Sequence, residues 1–326
     1  MTSVNINGNR FYNLDFITGC QAHVADESVD VIVTDPPYGI AGDTLHKHYN
    51  RDETFVVDGY VEVPAEQYGD FSRRWIAEAA RILKPNGALY IVSGYTNLYH
   101  VLDALRQTAL LEVNHIIWKY NFGVYTSTKY VSSHYHILFY EKPGPGKRTF
   151  NLECRYGVGE KDAAGGSLNY QDREDVWVIN REYKPGQVKN KNELPTALLV
   201  KMLQYSSNPG DLVCDPFMGG CSTARVALGL NRRFVGFEIS SAIFEARLPA
   251  LRDLEPGTLL PTLRQPERSR PRNQGQPWDD DEIAACLVRY AELREAGQTK
   301  KAAVATLSQE LGRGRWAIER ILRRNA

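Results

Sequence analysis

Over its first 250 residues the chain alternates short β-branched and aliphatic runs with longer amphipathic stretches, the pattern of an α/β layer protein. Strands are expected at 29–34, 88–93, 113–118, 136–140, 212–214 and 234–238. Helical periodicity marks 72–83, stopped by Lys84-Pro85-Asn86-Gly87, and also 98–107, 195–205 and 223–230. Between Gly39 and Asp70 the pattern lapses into a long polar stretch, expected to be a lid or a substrate contact if it is not a plain surface loop. From about 121 to 190 it weakens again. Aromatic and basic residues interleave there (Tyr125, Lys129, Tyr130, Lys147, Arg148), as on a nucleic-acid surface, although edge strands have the same composition.

Residues 254–277 are rich in Pro, Arg and Gln and read as a linker. Beyond them Trp278-Asp279-Asp280-Asp281-Glu282 opens a helix with acids at its positive end, and two more helical patterns follow at 299–311 and 316–324. From Thr299 onward seven basic residues face two acidic ones. A short three-helix module with a basic last helix has the helix-turn-helix layout; a helical bundle for protein contacts has the same pattern.

Composition narrows the field. Lys+Arg and Asp+Glu are both 39, so any nucleic-acid surface is local. No apolar run reaches the length of about 18 residues that a membrane helix needs, and the start has no signal-peptide core, so a cytoplasmic location, in a bacterial or phage-infected cell, is expected. Five cysteines without a C-x-x-C pair fit reduced thiols, and the pairs His46/His48 and His134/His136 lack the neighbours of a metal site.

Two segments carry chemistry. Asp35-Pro36-Pro37-Tyr38 follows an apolar strand, so an acid, two prolines and an aromatic stand at its carboxyl end, where open α/β sheets bind ligands. The prolines stiffen the turn and withdraw donors, leaving oxygen acceptors and a ring that suit the amino group of a planar base. A second strand-turn-helix unit runs from Pro209 to Thr223. Gly219 and Gly220 admit close backbone approach, Ser222 and Thr223 start a helix whose positive end favours a carboxylate, and Glu238 ends the next strand, placed for ribose hydroxyls. A nucleoside bearing an amino-acid carboxylate, such as S-adenosylmethionine, engages both ends of such a pocket. Neither phosphate-loop pattern is matched.

In this order the two motifs resemble the permuted beta group of S-adenosylmethionine-dependent DNA amino-methyltransferases, DPPY type, over roughly residues 10–250. Arg81–Gly87 is similar to the group's R-x-L-K-P-x-G segment, and Ile116-Ile117-Trp118-Lys119 to its strand before the target-recognition region. The resemblance implies a doubly wound Rossmann-like α/β sheet over residues 1–253, with 121–190 as target-recognition region, 254–277 as linker and 278–326 as a helical module. It implies that Asp35 and the Pro36 carbonyl accept from the target amino group, that Pro37 shapes the turn and that Tyr38 stacks on an extruded base. Asp215, Pro216, Phe217, Gly219, Gly220, Ser222 and Thr223 then surround the methionine part of the cofactor S-adenosyl-L-methionine, with Glu238 on its ribose and no metal.

Asn192 and Glu193 take the place of a cofactor-contacting segment that only Pro195 matches clearly. The group's early glycine-aspartate-cysteine, whose acid meets the adenine, is placed at Thr18-Gly19-Cys20, where the acid is missing. Double-stranded DNA is the implied partner, while a homodimer and a cognate restriction endonuclease stay open. Asp35 points to adenine N6, since a serine there goes mostly with cytosine N4. A non-catalytic DNA-binding regulator is the alternative of another class, and the intact Asp35–Tyr38 turn speaks against it.

Overall fold

The computed structural model describes residues 2–39, 63–121, 123, 125, 127–182, 193–267, 273 and 275–325. The chain forms two compact units, Met1–Gln265 and Pro266–Ala326.

In the first unit the elements run β1 (Ser3–Ile6), β2 (Asn9–Tyr12), α1 (Phe16–His23), β3 (Val29–Thr34), α2 (Tyr68–Ile82), β4 (Leu83–Ser93), α3 (Leu98–Arg106), β5 (Leu111–Lys119) and β6 (His134–Glu141). They continue with α4 (Leu168–Asp172), β7 (Val176–Val178), α5 (Thr196–Ser206), β8 (Leu212–Asp215), α6 (Ser222–Gly229), β9 (Arg233–Phe237) and α7 (Ser241–Arg252). The strands form one sheet in the order β1-β2-β9-β8-β3-β4-β6-β5-β7. The pairs from β2 through β9, β8 and β3 to β4 are parallel; β6 runs antiparallel to both β4 and β5.

Both faces of this sheet are covered, which is why its central strands are apolar without alternation. Val31 and Val33 of β3 belong to a cluster with Leu198, Leu203 and Ala224 of α5 and α6, while Ile32 joins Trp75, Ile76 and Ala79 of α2 on the opposite face. The sheet is thus the doubly wound layer that the pattern predicts. Its strand order reverses between β8 and β3, the switch point at which such sheets open a crevice at the strands' carboxyl ends.

Two expected boundaries move. The region 121–190 is not wholly an insertion, because His134–Glu141 is an inner strand of the sheet, with His136 paired to Ser93 and Tyr140 to Leu89. The linker is shorter than 254–277. Gly257 and Leu259 donate backbone hydrogen bonds to the carbonyls of Leu228 and Gly229, and the Arg264 guanidinium is paired with buried Glu160, so residues 254–265 are part of the first unit.

In the second unit α8 (Asp280–Glu295), α9 (Lys300–Glu310) and α10 (Arg315–Arg324) enclose Cys286, Leu293, Ala303, Val304, Leu307, Ile318 and Leu322. Asp279 caps α8 and Thr299 caps α9 by accepting from backbone N–H groups three residues on. Among the described residues no helix is long and apolar enough to cross a membrane.

Candidate active site at the sheet switch point

A cavity of about 360 Å³ opens at the carboxyl ends of β3, β8 and β9. Three loops at the strand ends line it: Asp35, Pro37 and Tyr38 after β3, Asp215 to Thr223 around the end of β8, and Glu238 after β9, joined by Asp15, Gln67, Asp70, Arg74 and Glu193. The two motifs, almost two hundred residues apart in the chain, therefore share one cavity.

Thr34 ties them together. Its hydroxyl donates to Asp215 Oδ1 at 3.0 Å, and the same oxygen accepts from the Phe217 N–H at 3.1 Å. Burial pushes the Asp215 carboxyl up to about 6, against donation from the Thr223 side chain, the Phe217 N–H and the Thr34 hydroxyl. Glu238 is also raised, chiefly by burial; the N–H groups of Ser240, Gly219 and Ile239 act in the other direction. Carboxyls with perturbed titration, gathered in one crevice, are a mark of a functional site.

The Asp35–Tyr38 turn is fastened at its far end by two side chains. The Tyr68 hydroxyl donates to the Pro37 carbonyl at 2.8 Å, and the Asn97 amide donates to the Tyr38 carbonyl. The Pro36 carbonyl accepts no hydrogen bond among the described residues. Pro36 and Pro37 have no N–H, so the middle of the turn offers acceptors and no backbone donor. Gly39 completes it at φ +64, where a side chain would collide with the Tyr68 ring and the Asn97 amide.

The Tyr38 hydroxyl donates to Asp35 Oδ1. Burial lifts the Asp35 carboxyl to about 7, opposed by that hydroxyl and by the guanidinium of Arg181, and assisted by the charge of Asp215. Beyond Tyr38 lies an aromatic row. The ring of Tyr135 is 5.9 Å from that of Tyr38, Trp118 and Tyr120 follow within 5.6 Å and 5.4 Å of Tyr135, and Arg181 lies over all three. Sequence reasoning did not single out Arg181, and nothing in its local sequence marks it.

Of the cofactor residues expected, Asp215, Pro216, Phe217, Gly219, Gly220, Ser222, Thr223, Glu193 and Glu238 line the cavity. Gly220 has no room for a side chain because Glu193 sits against it, held there by Arg225 and Arg247 at 3.1 Å each. Asn192 lies outside the described residues, as do His46, His48 and residues 40–62 of the expected lid.

Cys20, expected at the cofactor, is not among the residues that line the cavity: it is fully buried in α1 beneath the Arg81 guanidinium, and burial pushes its thiol up to about 12. Gly19 beside it is packing, since a side chain there would press on the Phe237 ring at 2.8 Å. A carboxylate stands one turn before Thr18-Gly19-Cys20: Asp15 lines the cavity and caps α1, accepting from the Thr18 N–H at 3.0 Å. A cap at the start of a helix that follows a strand was the available signal. Phe16, Phe71, Phe237 and Ile243 add an apolar wall that no motif announces. Among the described residues no group of three or more His, Cys, Asp or Glu side chains is placed to hold a metal ion.

This geometry can be set beside known proteins. A family model described as DNA methylase, covering N6 and N4 methyltransferases, matches residues 29–248. The Type II methyltransferase M.HpaI of Haemophilus parainfluenzae is 31% identical over 231 residues, 68% of this chain and 68% of that protein. M.HinfI of Haemophilus influenzae, also a Type II methyltransferase, is 26% identical over 247 residues, 72% of this chain and 66% of the relative. The chain thus spans about two thirds of the length of both relatives.

Among solved structures, the M1.HpyAVI–SAM complex has a TM-score of 0.51 at 23% identity, covering 74% of this chain and 98% of that one. The PvuII DNA methyltransferase, described as cytosine-N4-specific, has a TM-score of 0.55 at 15% identity, covering 77% and 88%. At such identities these two likenesses bear on the fold alone. The family match over more than half the length, together with the identity to M.HpaI, decides the relationship: the chain belongs to the N6/N4 DNA methylase family.

Proposed function

We propose that this member of the S-adenosylmethionine-dependent DNA methyltransferases methylates the N6 amino group of an adenine flipped out of duplex DNA. The observation that carries the proposal is the pairing of the Asp35 carboxyl with the unengaged Pro36 carbonyl, next to a cavity whose other wall runs from Asp215 to Thr223. The chemistry of that wall fits the cofactor. The positive end of α6 at Ser222 and Thr223 suits its carboxylate, Glu238 suits its ribose hydroxyls, and Asp15 suits the adenine amino group. When bound, S-adenosylmethionine supplies an electrophilic sulfonium methyl.

The amino nitrogen of adenine is a weak nucleophile because its lone pair is delocalised into the ring. Tyr38 holds Asp35 Oδ1, which orients the carboxyl so that its other oxygen and the Pro36 carbonyl accept the two amino protons. Drawn toward these acceptors, the protons leave the ring plane and the lone pair localises for in-line attack; position and charge complementarity do the catalysis. Flipping the base costs a few kcal/mol, offset in part by stacking on Tyr38. Asp35 as the first motif residue favours adenine; the same acceptors would serve cytosine N4.

Duplex DNA incubated with labelled cofactor and digested to nucleosides is expected to yield N6-methyladenine. N4-methylcytosine alone would overturn the base assignment. Asp35→Ala is expected to abolish transfer while cofactor affinity stays within about threefold, and a variant keeping most of its activity would remove Asp35 from the chemistry.

A further inference from the structure

The second unit contains neither motif, yet it presents an unusual face. In α10 the apolar residues Ile318, Ile321 and Leu322 are buried, and Arg315, Trp316, Arg320, Arg323 and Arg324 are exposed. At helical spacing Trp316, Arg320, Arg323 and Arg324 fall on the half of the helix opposite the core, and Arg315 lies at the edge of that face. Trp316 is 78% exposed, so a whole indole stands in water without a packing task.

Arginines described in this unit include some that serve folding and some that do not. Those that serve folding are paired: Arg313 is buried, bonded to Glu282 and to the carbonyls of Asn273, Gln276 and Pro277, and stacked over Trp278, while Arg289 bridges to Glu292 and Glu310. On α10, Arg315, Arg320 and Arg324 form no ion pair among the described residues, and Arg323 has only the exposed Glu319 one turn back, a contact worth little. Among the described residues of the unit, that weak pair is the only ionic partner of this stripe of positive charge.

The turn that presents the stripe is rigid. Only residues 311–314 separate α9 from α10, Gly312 takes φ +62 in that turn, and the Arg313 network clamps it to α8. Two helices joined by a short glycine-containing turn, the second one basic, form the arrangement that places a helix in the major groove.

We propose that α10 docks in the major groove of duplex DNA, a contact separate from the methyl-transfer cavity. Arg315 and Trp316, on its first turn, meet base edges, and Arg320, Arg323 and Arg324 meet phosphates. Charge complementarity selects DNA over an apolar protein partner, because the face offers four guanidinium groups around a single indole.

The test uses the full-length chain and an unmethylatable duplex of about 30 base pairs without cofactor, so that it reads independently of which base is methylated. Fluorescence anisotropy at several salt concentrations compares wild type, the triple variant Arg320→Gln/Arg323→Gln/Arg324→Gln and the matching lysine triple. The glutamine triple is expected to lose at least tenfold in affinity at about 0.1 M salt. The slope of log affinity against log salt should flatten by about two to three, since each phosphate contact contributes about 0.9. The lysine triple should keep the wild-type slope, which separates loss of charge from loss of fold. Trp316→Ala should weaken binding with the slope unchanged. A glutamine triple with wild-type affinity and slope overturns the proposal; if that variant alters the oligomeric state instead, the face belongs to a protein partner.

Discussion

Asp35, the acid of the proposed amino-group contact, sits in an environment that works against folding. Burial raises its carboxyl from an ordinary 3.8 to about 7, so between those values the unfolded chain is ionised and the folded one holds a proton. The cost to stability is absent in acid, grows as pH rises from about 4 to about 7, and is constant above that. Asp35→Asn should therefore raise the thermal midpoint of the ligand-free protein at pH 8 and do so progressively less toward pH 4. A gain of equal size at both ends would show that titration is not its cause. In the wild type, kcat/KM should fall as pH drops below about 7, because a protonated Asp35 accepts less well. Asp15 permits a cleaner separation of roles. Asp15→Ser retains a side chain able to cap α1 but loses the charge, so cofactor affinity should drop about tenfold, the loss of one charge-assisted hydrogen bond. Titration calorimetry reads the affinity and a melting curve the cap; a fall in stability of more than about 1 kcal/mol would mean that capping was the larger role.

At the scale of elements, the turn after β3 depends on neighbours that lie far along the chain. Tyr68 opens α2 and Asn97 precedes α3, and each holds one carbonyl of the turn while leaving Pro36 free. Tyr68→Phe removes one donor and retains the ring. It should lower kcat about tenfold with cofactor affinity unchanged, and an unaltered kcat would mean that the prolines alone hold the turn. Neither clamp is legible in the sequence, since each acts through a single side-chain hydrogen bond across about 30 residues or more. The elements that are legible follow a local rule. The run Val29–Thr34 forms β3 with the expected bounds because burial on both faces demands continuous apolar residues. The β1–β2 hairpin escaped notice although Asn7-Gly8, both at positive φ, is a strong hairpin signal between alternating residues. The strand expected at 136–140 runs from His134 to Glu141, but its place between β4 and β5 is a matter of long-range pairing, which composition does not encode. Motif order puts the acid of the adenine contact at Thr18-Gly19-Cys20, where there is none; Asp15, which caps α1 and lines the cavity, is the acid proposed for that contact.

For the whole molecule, the division into units decides where the chain can be cut. Composition places the end of the catalytic domain at 253, where proline and arginine become frequent, but the packing places it at Gln265. Leu254, Leu259 and Leu263 rest on the first unit's core, and Gly229 has no side chain because Leu259 occupies that space. Arg264 faces Glu160, which is buried and otherwise accepts from the Gly157 N–H. Ending the chain at 253 removes this guanidinium from beside the buried Glu160 carboxylate and uncovers the core beneath the three leucines, so the shorter chain is the less stable one. Ending it at 265 keeps every one of these contacts. The longer fragment is therefore expected to melt cooperatively and to bind S-adenosylmethionine within about twofold of the full chain, whereas the shorter one melts well below it or fails to stay soluble. Parallel melting curves and cofactor titrations of the two fragments make the comparison. Equal stability of the two would mean that residues 254–265 lie on the first unit without holding it, and that the charge on Glu160 is satisfied from within the sheet domain.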